Sequence, residues 1–192
     1  MDQVIEPVTG QEANTVTHLE KAFFATGCFW GAERRFWNLQ GVLRTSVGYM
    51  GGHQSDPTYK QVCTGNTGHA EMVEVEYNPK LISYHRLLEE FWTMHDPTSF
   101  NRQGGDIGSQ YRSAIYATSA KQLHEALATR NIYNELLLKK GFDEICTEIK
   151  SADGIKYWPA EDYHQRYLEK NPGGYDCHSS TGIAYPEQVF IG

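Results

Sequence analysis

The run AEMVEVEYNP at residues 70–79 alternates without a break, placing Glu71, Val73, Val75 and Tyr77 on one side and Met72, Glu74 and Glu76 on the other. A period of two is that of a strand with one buried face. A slip of one residue would turn every apolar side chain outward, so the pattern fixes the register as well as the element. Other segments read the same way: LEKAFFAT (19–26), VLRTSVGYM (42–50), YRSAIYAT (111–118) and DEICTEIK (143–150) are expected strands. Helical periodicity separates them. CFWGAERRFWNLQ (28–40) puts Phe29, Ala32 and Phe36 on one face before Gly41 stops it. Ser83 can cap a helix with a stripe of Leu87, Leu88, Phe91 and Trp92, ended by Asp96-Pro97. Ser119 and Gln122 form a capping box for a long helix bearing Leu123, Ala126, Leu127, Tyr133 and Leu137, with Gly141 past its end, and PAEDYHQRYLEKN (159–171) is a last short helix.

Strands and helices in this mixed order predict an α+β fold, a central and largely antiparallel sheet covered by helices. At 192 residues with 40% hydrophobic content, the chain suits one domain over 19–192, preceded by a partly ordered arm over 1–18. The segments 51–69 and 96–110 are irregular and long, the kind of connection that carries function. A formal charge of −7 opposes nucleic acid and acidic membrane surfaces, and the polar, acidic start of the chain resembles no signal or transit peptide. The expected setting is therefore the cytoplasm, with no nucleic-acid or membrane partner and a monomer sufficient. Neither the four scattered cysteines nor the eight histidines show close metal-ligand spacing, and GGDIGSQ lacks a dinucleotide fingerprint, so no metal and no cofactor are expected.

The chemistry centres on Cys28. It follows a strand and a glycine and sits where a helix begins, and unpaired N–H groups and the helix dipole at such a point favour a thiolate, the nucleophilic form of cysteine. Glu71, on the inward side of its strand, is costly to ionise and can keep a proton to donate at neutral pH. Phe29 and Trp30 could line an apolar pocket beside the thiol. The residues alone leave other readings open: a buried small hydrophobe at Cys28, a strand-end glutamate reaching water, two packing rings. They also leave open a thiol peroxidase and a redox-sensing binding module.

GCFWG, GYMGG, PTY, GHAE, HDPT, QYRSAIY and the EDYHQ run, in that order, resemble peptide methionine sulfoxide reductase A over roughly residues 21–177. The resemblance implies a ferredoxin-like sandwich with a long coiled C-terminus and reduction of the S epimer of methionine sulfoxide, free or in oxidised proteins and peptides. Carried over, Cys28 is the nucleophile and Glu71 the acid. The hydroxyls of Tyr59 and Tyr111 bind the sulfoxide oxygen, and Asp106 helps hold substrate and water. Phe29 and Trp30 receive the methyl group. Cys177 resembles the resolving cysteine, although Asp176 intervenes where the family has Gly-Tyr-Cys; a Cys28–Cys177 disulfide reduced by thioredoxin is implied. Cys63 follows a non-catalytic loop cysteine and Cys146 is expected to pack, with either as a fallback resolver.

Overall fold

The computed structural model describes residues 18–176 and 179–186. Apart from His18, the expected N-terminal arm lies outside these residues, and so does Cys177. The chain runs β1 (Glu20–Thr26), α1 (Phe29–Trp37), β2 (Val42–Met50), a single-turn α2 (Tyr59–Val62), β3 (Ala70–Tyr77) and α3 (Tyr84–Met94). A two-residue hairpin, β4 (Arg102–Gln103) and β5 (Asp106–Ile107), and a 3-10 turn at Ser109–Tyr111 lead to β6 (Ser113–Ala117) and α4 (Ala120–Lys139). β7 (Glu148–Ser151), β8 (Trp158–Pro159) and α5 (Tyr167–Lys170) follow.

Six strands form one sheet in the order β7-β6-β1-β3-β2-β8. Every pairing in it is antiparallel except β6 with β7, which makes the sheet mixed. The alternation of β3 sets its register: Val73 lies between Phe24 of β1 and Val47 of β2, and all three are fully buried or nearly so. On one face, Ala22, Phe24, Val47, Val73, Val75 and Ile115 pack beneath α1, α3 and α4 through Phe36, Leu88, Phe91, Trp92 and Tyr133. Each fully buried Val, Leu, Ile or Phe among them contributes about 1.5–3 kcal/mol. The other face is also covered where Met72, Ala114 and Tyr116 meet Ala152, Ile155 and Tyr157. Met72 is thus buried rather than wet, while Glu74 and Glu76 stay at the surface side, paired with Lys21 at 2.9 and 3.2 Å.

Ser83 caps α3 by accepting the Arg86 N–H, as its position implies. Ser119 caps α4 likewise, but the Gln122 carboxamide accepts from Thr118 rather than closing the box on Ser119. The buried stripe of α4 runs through Gln122, Ala126, Thr129, Tyr133 and Leu137, and Leu127 is turned out to solvent. The expected strand 143–150 contracts to β7. The expected helix 159–171 contracts to α5, because residues 159–166 instead bond sideways to β2 and α1, and Arg166 takes a left-handed conformation (φ 53°). No helix among the described residues is long and apolar enough to cross a membrane.

Gly51 ends β2 with φ +87°, and a Cβ there would meet the Tyr116 hydroxyl and the Arg112 guanidinium. That hydroxyl is held by Glu148 and Arg112 and cannot yield. Gly51→Ala is therefore expected to cost about 2–4 kcal/mol in urea denaturation; a loss below about 0.5 kcal/mol would mean the turn relaxes freely.

Candidate active site

β1 ends at Thr26 and Gly27 turns the chain at φ +97°, so that Cys28 becomes the N-cap of α1. Cys28 is 6% exposed. The first N–H of the helix, from Phe29, donates to Glu71 Oε2 at 3.0 Å, so the inward side of β3 delivers its carboxyl to the helix start that Cys28 caps. Glu71 is 2% exposed. Burial pushes its pKa up to about 8, the Phe29 hydrogen bond opposes this, and the nearby Asp106 charge adds to it.

Tyr59 is the first residue of α2, a helical turn inside the segment 51–69 that had read as irregular. Thr58 and Gln61 form a complete capping box there, a spacing visible in the sequence as T-x-x-Q. The Tyr59 N–H donates to Glu161 Oε1 at 2.9 Å, and its hydroxyl pKa is raised by burial first, then by the Cys63 thiol and the Glu71 charge. Tyr111 closes the 3-10 turn before β6. Its hydroxyl pKa is also raised, by burial and then by the fields of Glu71, Cys63, Asp106 and Cys28, which places all four within electrostatic reach of one phenol. Asp106, in the β4–β5 hairpin, accepts from the Tyr175 hydroxyl through Oδ1 at 3.1 Å; its Oδ2 is buried without a hydrogen-bond partner among the described residues.

Phe29 is buried, with its ring 6.0 Å from Tyr49 and 5.1 Å from His164. Trp30 stacks on Tyr167 at 3.8 Å and donates its indole N–H to His164 Nδ1 at 3.1 Å. Seven of the eight site residues expected from sequence, Cys28, Phe29, Trp30, Tyr59, Glu71, Asp106 and Tyr111, thus gather at one corner of the sheet. The eighth, Cys177, is outside the described residues. The chain just before it is nonetheless attached beside the site, through Tyr175 on Asp106 and an Asp176–Arg34 ion pair to α1. Cys63 is exposed at the end of α2, and Cys146 donates its thiol to the Pro97 carbonyl at 3.3 Å.

Sequence reasoning did not single out the segment that closes the corner. Glu161 bonds both Tyr59 N–H and the Tyr49 hydroxyl; burial works against its ionisation, but those hydrogen bonds hold its carboxyl below the usual range. Gln165 bonds both backbone groups of Val47, and the Arg166 N–H donates to Glu33, a fully buried carboxyl whose pKa burial raises. The only signal for this segment was the EDYHQ run itself, read as a motif without individual roles. A cavity of about 570 Å³ lies elsewhere, between the starts of α3 and α4 at the far end of β1.

A thiol at a helix start, a carboxyl that burial pushes toward its neutral form and two phenols on the same corner are the groups a cysteine-dependent enzyme on an α+β frame would use. Residues 20–188 match the family model described as peptide methionine sulfoxide reductase. The chain is 52% identical over 168 residues to peptide methionine sulfoxide reductase MsrA of Streptomyces griseus, covering 88% of this chain and 76% of that relative. Among solved structures, methionine sulfoxide reductase A of Corynebacterium diphtheriae matches with a TM-score of 0.80 at 44% identity, over 88% of this chain and 84% of that one. Mxr1 of Saccharomyces cerevisiae, solved in complex with Trx2, matches at 25% identity and a TM-score of 0.52, over 84% and 89% of the two chains. The chain belongs to the peptide methionine sulfoxide reductase family of enzymes. That membership favours a reductase over the peroxidase and sensor readings.

Proposed function

We propose that this enzyme reduces methionine-S-sulfoxide, free or within oxidised proteins and peptides, through a sulfenic acid on Cys28. The Cys28 thiolate attacks the sulfoxide sulfur and forms an S–S bond to it while Glu71 gives its proton to the oxygen. The hydroxyl then passes to the Cys28 sulfur as that S–S bond breaks, the electron pair leaving with the methionine sulfur. The S–O bond of the substrate breaks, an S–OH bond remains on Cys28, and methionine leaves. Tyr59 and Tyr111 donate hydrogen bonds to the oxygen as charge gathers on it, and Asp106 orders the substrate and its water. Phe29 and Trp30 take the methyl group. Cys177 then condenses with the sulfenic acid, releasing water and forming a disulfide that thioredoxin reduces.

The observation that carries the reading is the Glu71–Phe29 contact. With Oε2 occupied by the helix N–H, the other oxygen of a neutral carboxyl holds the proton, beside the thiol that caps the same helix. Thioredoxin recycling is supported by the Mxr1 complex with Trx2. The Tyr175 and Asp176 contacts keep the approach to Cys177 near the site. The order of strands β6-β1-β3-β2, joined by α1 and α3, reads as a ferredoxin-like core with the C-terminal segment wrapped on it. We place the enzyme in a reducing compartment, the cytoplasm, acting as a monomer whose catalytic domain spans 19–192.

With dithiothreitol as reductant, the separated epimers test the assignment: the S epimer is expected to turn over and the R epimer to react at least ~10²-fold more slowly, because a methyl group and an oxygen exchanged between an apolar and a hydrogen-bonding subsite are both misplaced. Equal rates would refute the subsite roles of Phe29, Trp30 and the tyrosines.

A further inference from the structure

His164 is the most enclosed member of the closing segment, at 1% exposure. Its ring centroid lies 4.1 to 5.6 Å from those of Phe29, Trp30, Tyr59 and Tyr163. An indole N–H can only donate, so the 3.1 Å contact from Trp30 Nε1 requires a lone pair on His164 Nδ1 and sets the single proton of the neutral ring on Nε2. A second proton would face two N–H groups at each other. Burial lowers the imidazole pKa; the charged group facing it, Glu161, opposes this, but its Oε2 is 4.0 Å from Nε2, beyond hydrogen-bond distance, and its oxygens already serve Tyr59 and Tyr49. Nε2–H is buried with no hydrogen-bond partner among the described residues. The only hydrogen bond the ring of this histidine makes among them is thus the one to Trp30.

Trp30 needs it. Stacking on Tyr167, with 16° between the planes, fixes the plane of the indole but leaves the ring free to rotate within that plane. A directional bond at Nε1 removes that freedom. We propose that His164 is a positioning residue which, as the acceptor of the Trp30 indole N–H, locks the in-plane angle of the ring forming the wall of the methyl subsite. This rests on the reading that Trp30 receives the methyl group of the substrate. The effect falls on how well the sulfoxide is seated and not on proton transfer, which falls to Glu71 at the Phe29 N–H.

The test uses the full-length enzyme with methionine sulfoxide and dithiothreitol. His164→Leu, which offers no acceptor, is expected to raise KM about tenfold with kcat changed less than about threefold. His164→Asn, whose carbonyl can stand in for Nδ1, is expected to restore most of the KM. In a Trp30→Phe background, where there is no indole N–H to hold, His164→Leu is expected to change KM by less than about twofold further. Nitrogen-15 NMR of the histidines is expected to show the Nε2–H tautomer, with the Nδ1 resonance moving in Trp30→Phe. An equal KM effect in both backgrounds, a loss confined to kcat, or a proton on Nδ1 would overturn the proposal. If His164→Leu fails to fold, the asparagine variant and the NMR decide. If the wild type does not reduce methionine sulfoxide, the functional reading fails, while the tautomer and its response to Trp30→Phe still report on the His164–Trp30 bond.

Discussion

Glu71→Gln is expected to lower kcat for methionine sulfoxide about 10²- to 10⁴-fold, the usual worth of a positioned general acid, and at the same time to stabilise the fold. The second half follows from linkage. In the unfolded chain this carboxyl titrates in the ordinary glutamate range, and in the folded protein at about 8. Between those values the native state binds a proton that the unfolded state has released, so stability falls as pH rises through the window and levels off above it. At pH 7 the accumulated cost is on the order of 3 kcal/mol, which a neutral amide avoids while still accepting the Phe29 N–H. Urea denaturation should therefore separate variant from wild type little at pH 5 and most at pH 8. The wild-type kcat should decline above about pH 8 as the proton donor is lost. A variant that is slow but no more stable at pH 8 than at pH 5 would show that Glu71 ionises without penalty, and the proton would have to come from elsewhere.

Cys28→Ser is expected to lower turnover at least ~10⁴-fold with any reductant, since a serine hydroxyl forms no sulfenic acid and supplies no accessible anion at the helix start. Cys177→Ser should behave quite differently. Rapid quenching should show one equivalent of methionine released per enzyme and then a stall when thioredoxin is the reductant, with dithiothreitol restoring turnover by reaching the sulfenic acid directly. If Cys177→Ser kept the thioredoxin-driven rate of the wild type, resolution would pass to Cys63 or Cys146. Cys63, at the end of the helix that presents Tyr59, would then be the first to test.

The parts legible in the sequence were those governed by local periodicity. The alternation of 70–77 gave both the strand and the inward direction of Glu71, and Ser83 gave the start of α3 within one residue. The segment 51–69 hid α2 because a single helical turn has no period to read; only its cap, Thr58 with Gln61, announces it. In 159–171 an apparent helical composition was overridden by long-range bonds from Gln165 to Val47 and from Arg166 to Glu33, partners more than 100 residues away that no window along the chain contains. For the same reason Glu161 and His164 gained roles only once β2, α1 and α2 were in place around them. Leu127 shows a smaller error of the same kind, since the face of α4 was settled by which residues met α3 and the sheet.

The closing segment has a consequence for synthesis. Trp30 and His164 are 134 positions apart and Tyr59 and Glu161 are 102, so a nascent chain exposes its thiol long before the walls that give it selectivity have left the ribosome. On the proposed mechanism, the sulfur is until then a nucleophile without those walls, open to whatever oxidant or electrophile it meets. A chain truncated upstream of residue 158 should keep much of the strand pairing and lose discrimination among oxidants, behaving as a general thiol.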